Sequence, residues 1–128
     1  MKALTEYQWL IMEVLWEKHP IYLGELMEAM QDQVNWQYST YLTYLKRLMR
    51  EGYVTYTQIH GSRMYSPAVT RESCIEHASQ DLLKRMTKPS TRLLVTNMIR
   101  EGGLDEADCE QLHQLINQLS TKAATDDN

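Results

Sequence analysis

Between Trp36 and Arg50, hydroxyl, ammonium and guanidinium side chains recur every three or four positions, with no Asp or Glu among them. At about 100° per residue of helix, Trp36, Thr40, Thr43, Arg47 and Arg50 fall within an arc of about 80°, with Lys46 at its flank. Tyr41, Tyr44, Leu45, Leu48 and Met49 cover the other side. A polar face is usually just a solvated face. Here it lacks acids and sets two hydroxyls beside two arginines, a mixture suited to phosphate oxygens and base edges. Arg63, in a glycine-containing turn, adds a further cation for phosphate. Other chemistry finds little support. Cys74 and Cys109 each stand apart from any His or Cys at ligand spacing, which argues against a zinc ribbon or a disulfide scaffold. They read as small buried or half-buried thiols in a reducing compartment. The four histidines, at 19, 60, 77 and 113, are scattered, and no nucleophile, base and acid are grouped. No catalytic residue, metal ligand or cofactor is therefore expected, and the chain is not expected to be an enzyme.

The elements that must position these residues follow from capping and periodicity. Thr5 and Gln8 have the spacing of a capping box, and Leu4 and Trp9 occupy the two staple positions around it. Tyr7, Leu10, Ile11, Val14 and Leu15 then recur at helical spacing until His19-Pro20. A second short helix is expected over about 23–31, with Leu23, Leu26, Met27 and Met30 on one face. The third, over about 37–50, carries the polar arc. Gly52 stops it, residues 53–59 are rich in β-branched and aromatic types, 60–63 make a turn, and 64–66 return before Pro67. Helix, helix, helix and hairpin is the order of a winged helix-turn-helix, in which the third helix can enter a major groove while the hairpin reaches the adjacent backbone.

After Pro67 the pattern is helical: apolar positions recur over about 71–86, again from Leu93 to Ile99, and again from Leu112 to Leu119. Lys88-Pro89 breaks the first two apart with Ser90 as the expected cap, and Gly102-Gly103 and Asp105 separate the second from the third. Three short apolar helices bury their faces poorly alone, so self-association is the expected outcome. The fold class is thus mainly α with a small β-hairpin: a winged helix over 1–70, a helical dimerisation region over 71–119, and a frayed polar tail over 120–128. No apolar run is long enough for a membrane span or a secretory signal, and a cytoplasmic location is expected. The net charge of −4 conceals a division: residues 34–66 carry four basic side chains and one acidic, whereas 1–33 carry two basic and six acidic. Attraction to DNA depends on the local field rather than on the total.

Leu4-Thr5-Glu6-Tyr7-Gln8-Trp9 with Val14-Leu15-Trp16 resembles the first helix of the BlaI/MecI/CopY family of penicillinase and copper repressors. Trp36…Ser39-Thr40…Thr43…Leu45-Lys46-Arg47-Leu48 resembles its recognition helix, and Gly61…Tyr65-Ser66-Pro67 its wing. The resemblance runs from about 4 to 119 and implies a homodimeric repressor on inverted-repeat operator DNA. It places the recognition-helix contacts on Thr40, Thr43 and Arg47. The paired C-terminal cysteines of copper-responsive members are missing, which disfavours copper sensing. In the β-lactam-responsive branch a membrane sensor protease triggers cleavage between Asn and Phe. Asn97-Met98 falls at the equivalent place, with Met where that branch has Phe. The alternatives left by the sequence are a repressor answering to a small ligand or to thiol oxidation, and a winged helix that binds only another protein.

Overall fold

The structure, a computed structural model, describes residues 2–126, and of 122–126 the backbone alone. Its elements in chain order are α1 (Glu6–Glu17), β1 (Ile21–Tyr22), α2 (Leu23–Met30), α3 (Tyr38–Arg50), β2 (Val54–Ile59), β3 (Ser62–Pro67), α4 (Arg71–Arg85), α5 (Lys88–Glu101) and α6 (Glu106–Asp126). This is a winged helix-turn-helix followed by helices. The capping box forms as expected: the Thr5 N–H donates to Gln8 Oε1 at 3.0 Å, and the Gln8 N–H to Thr5 Oγ1 at 3.4 Å.

The hairpin turns on His60 and Gly61 alone, both at positive φ (53° and 81°), so the strands flank a two-residue turn. Arg63 therefore lies in β3 rather than in the turn. A third strand, β1, which the sequence hid in the approach to α2, pairs Ile21 with Tyr65 and Tyr22 with Met64, giving the sheet order β1-β3-β2. Two residues have no period to detect.

The core gathers Ile11, Met12 and Leu15 of α1, Leu26 and Met30 of α2, Tyr41, Leu45 and Leu48 of α3, and Tyr53 and Tyr65 of the wing. The buried stripe of α1 runs through Gln8, Ile11, Met12 and Leu15, so Leu10 and Val14, expected in the core, are only half-buried. Contacts divide the chain into two units, Met1–Leu82 and Leu83–Asn128. The division falls inside α4 rather than at residue 70, because the start of α4 is tied to α1. The Arg71 Nη2 donates to Glu13 Oε2 at 2.8 Å and to Glu17 Oε1 at 3.1 Å, and Cys74 is buried in the first core.

In the second unit α5 is capped by Thr87, whose hydroxyl accepts from the Ser90 N–H at 3.4 Å, and not by Ser90. Pro89 is tolerated in that first turn, where its missing N–H has no intrahelical partner to lose. Asp105 caps α6 as expected, accepting from the Asp108 N–H at 2.8 Å. That helix continues to Asp126, past the tail expected from 120: Ala123 and Ala124 favour helix, and Thr121 Oγ1 donates back to the Asn117 carbonyl at 2.9 Å. Residues 127 and 128 of that tail lie outside the described residues. No described helix is long and apolar enough to cross a membrane.

Leu45 is wholly buried on the underside of α3. Leu45→Ala should lower stability by about 2–5 kcal/mol in a denaturant titration, with a cavity beneath the site helix as the cause.

Candidate nucleic-acid interface

The underside of α3 is fixed by Tyr41, Leu45 and Leu48, all buried, and this sets which side chains project outward. Ser39, Thr43, Lys46, Arg47 and Arg50 are exposed, whereas Thr40 is half-buried. The outward arc is therefore turned towards Ser39 and Lys46 relative to the one read from the sequence. Lys46, expected at its flank, stands well inside it. The Thr43 hydroxyl donates to the Ser39 carbonyl at 2.9 Å. Its hydrogen is thereby committed, and Thr43 can offer outward only a methyl group and an acceptor lone pair.

Trp36 does not belong to this face. The helix starts at Tyr38 behind the N-cap Gln37, so the helical projection cannot be carried back to 36. The indole stacks on Tyr44, with ring centres 4.5 Å apart and planes 4° from parallel. It also meets the edges of Tyr7 and Tyr41 at 5.3 and 5.2 Å. This aromatic group ties α1 to the approach and first turns of α3.

On the wing, the register set by the two-residue turn pairs Gln58 with Arg63 and Tyr56 with Tyr65, which makes Tyr56 and Arg63 diagonal neighbours on one face. The Arg63 guanidinium lies 4.2 Å from the Tyr56 ring centre. The ring props a cation that would otherwise sample many rotamers. Arg63 and Lys46 line a common groove of about 660 Å³ between α3, the start of α2 and the wing. Tyr38, 59% exposed, lines it too. Sequence reading missed Ser39, Tyr38 and Tyr56. Lys46, Leu42 and Tyr38 do share one side of an ideal helix, but Tyr56 becomes visible only once the turn length fixes the register.

The acid at the end of α3, Glu51, does not offset this field at the surface. Its side chain is 14% exposed, and it sits 3.9 Å from the Lys2 ammonium. The two cysteines differ more than expected: Cys74 is buried and its thiol is pushed up by desolvation, which disfavours the reactive thiolate, whereas Cys109 is exposed. Asn97 and Met98 are both exposed within α5. No group of three or more metal-ligating side chains occurs among the described residues.

A family profile described as penicillinase repressor matches residues 4–118. Over 123 residues the chain is 28% identical to an uncharacterised 16.5 kDa protein of Latilactobacillus sakei, covering 95% of this chain and 82% of that one. It is 21% identical to the methicillin resistance regulatory protein MecI of Staphylococcus aureus, covering 90% of this chain and 94% of MecI. Its fold is similar to that of Staphylococcus aureus MarR in complex with salicylate and kanamycin, with a TM-score of 0.51 at 14% identity over 95% of this chain and 75% of that one.

Because Trp36 supports the site helix from behind, its contribution should appear as coupling to Tyr44. A double-mutant cycle of Trp36→Leu and Tyr44→Leu, read by urea unfolding, should give about 0.5–1.5 kcal/mol of interaction beyond lost area.

Proposed function

Because the chain belongs to the penicillinase repressor family, whose members are DNA-binding transcriptional repressors, we propose that it acts as a homodimer on inverted-repeat operator DNA and is derepressed by proteolysis in its C-terminal region. The observation that carries the DNA-reading half is the acid-free outward face of α3 next to the propped Arg63. In this reading α3 lies in the major groove. Thr43, through its methyl and lone pair, and the half-buried Thr40 meet base edges, while Lys46, Arg47, Arg50 and Arg63 hold phosphates.

The homodimer is supported by the apolar surface of the second unit. No side chain of α5 is buried, and Leu93, Val95, Met98, Ile99, Leu115, Ile116 and Leu119 are all between 44% and 67% exposed. Area of that kind is covered most simply by a second copy, whose two-fold axis matches an inverted repeat. A small winged helix gains most of its operator affinity from that linkage.

Proteolysis is supported by position. A cut between Asn97 and Met98 separates the last turn of α5 and all of α6 from the DNA-reading unit. Leu115, Ile116 and Leu119 would leave with the fragment. The winged helix would keep its core, because every core residue precedes Ile75. A membrane sensor protease responding to a β-lactam is the partner this reading requires.

Operator titrations at several salt concentrations test the groove placement. Arg63→Ala should weaken matched and mismatched sites alike and lower the salt slope by about one, whereas Thr43→Ala should lose about 1–3 kcal/mol of discrimination at one base pair. Unchanged affinity in both Arg47→Ala and Arg63→Ala would refute the placement. In the same titration, residues 1–82 alone should bind about 10²–10⁴ more weakly than the full chain. For the signal, mass spectrometry after β-lactam induction of the host should find fragments 1–97 and 98–128. Full derepression with an intact chain rules proteolysis out.

A further inference from the structure

The winged helix carries a second concavity, separate from the groove beside the wing and sharing no residue with it. It measures about 670 Å³ and lies between α1 and α2. Its floor is apolar: Leu10 and Val14, two of the α1 residues that the core leaves half-buried, with Ile21 and Ala29. Four carboxylates, Glu13, Glu17, Glu25 and Glu28, stand around that floor against the single ammonium of Lys18, which is engaged with Glu25 at 2.9 Å. Like charges three and four residues apart on one helix repel, and here both helices carry such a pair towards one space. The volume is that of a small-molecule site, and the charge selects its occupant.

We propose that this groove binds a small organic cation with an apolar body, and that the bound cation competes with Arg71 for Glu13 and Glu17. The apolar body covers Leu10, Val14, Ile21 and Ala29, while the positive charge relieves the excess of carboxylates. The competition follows from shared partners, because Glu13 and Glu17 line the groove and also accept the hydrogen bonds of the Arg71 guanidinium, at 2.8 and 3.1 Å. Arg71 opens α4, directly after a link whose Val69 carbonyl accepts from the Trp16 Nε1–H at 2.9 Å. Its guanidinium also lies 5.5 Å from the Trp16 ring centre. Drawing the carboxylates away from Arg71 loosens the joint from which α4 leaves the winged helix. In a homodimer that joint sets the spacing of the two α3 helices. This last consequence rests on the repressor reading above, whereas binding and competition do not.

The test uses the full chain without DNA. Tetraphenylphosphonium is titrated by calorimetry, with tetraphenylborate as a control of the same shape and opposite charge. The phosphonium should bind once per chain and the borate should not. Glu13→Gln and Glu28→Gln should each weaken binding by about two- to fivefold, and added salt should weaken it further. Arg71→Gln, by removing the competitor, should tighten it by about two- to fivefold. Ala29→Arg, on an exposed helical position, should abolish it; circular dichroism checks that this variant folds, and the two glutamine variants carry the test if it does not. Equal binding of both ions, or binding indifferent to Glu13→Gln and Ala29→Arg, overturns the site. Affinity unchanged in Arg71→Gln overturns the competition. Binding of an arginine-rich peptide in the absence of phosphonium binding overturns the small-molecule reading in favour of a protein-docking face. Because no operator is present, failure here is distinct from failure of DNA binding.

Discussion

Everything the winged helix presents to its surroundings depends on how α3 is seated. A helix of 13 residues can bury one stripe, and Tyr41, Leu45 and Leu48 fill that stripe completely against α1, α2 and the wing. Rotating α3 to bring another face outward would expose those three side chains and bury Arg47 or Lys46 without partners, at a cost of several kcal/mol. The orientation of the basic face is thus set by what lies beneath it. The stack of Trp36 on Tyr44 fixes the entry of the helix in the same way, and Gly52, at φ 87°, allows the chain to turn immediately into the sheet.

A second constraint is charge segregation within one small unit. Four of the five carboxylates of α1 and α2 gather around their own groove, while the outward face of α3 and the adjoining strand carry cations. In water, exposed charges more than about 8–10 Å apart are largely screened at ordinary ionic strength, so each face acts through its local field. A negative total is compatible with a basic outward face on α3 for this reason. Within the acidic cluster, Lys18 holds the Glu25 carboxyl below the usual carboxylate range by a side-chain hydrogen bond, and the Tyr22 N–H helps. The Lys18 ammonium is raised in return.

The second unit obeys different rules. Its helices are well capped, by Thr87 and by Asp105, yet most of their described apolar side chains stay exposed. Good caps fix where helices start and stop, but helices of this length draw most of their stability from packing. Among its described residues the region combines strong local signals with no buried apolar side chain.

Sequence alone determined what local chemistry controls. The Thr5–Gln8 box, a turn after Ile59, shorter by two residues than the 60–63 expected, and the apolar stripe of α3 all act over a few residues, and each is present in the folded chain. The resemblance to repressors rested on the order of the same local pieces. What the tertiary structure decided involves partners distant in the chain. Trp36 left the polar arc because Tyr7 and Tyr44 offered it a stacking site. The strand of Ile21 and Tyr22 exists only because β3 pairs with it, and Tyr56 supports Arg63 only through the hairpin register. Leu10 and Val14 have the helical spacing of core residues, but whether such a stripe meets the core or floors a groove is settled by the helix packed against it. Periodicity specifies a face; only the neighbour across from it specifies what that face is for.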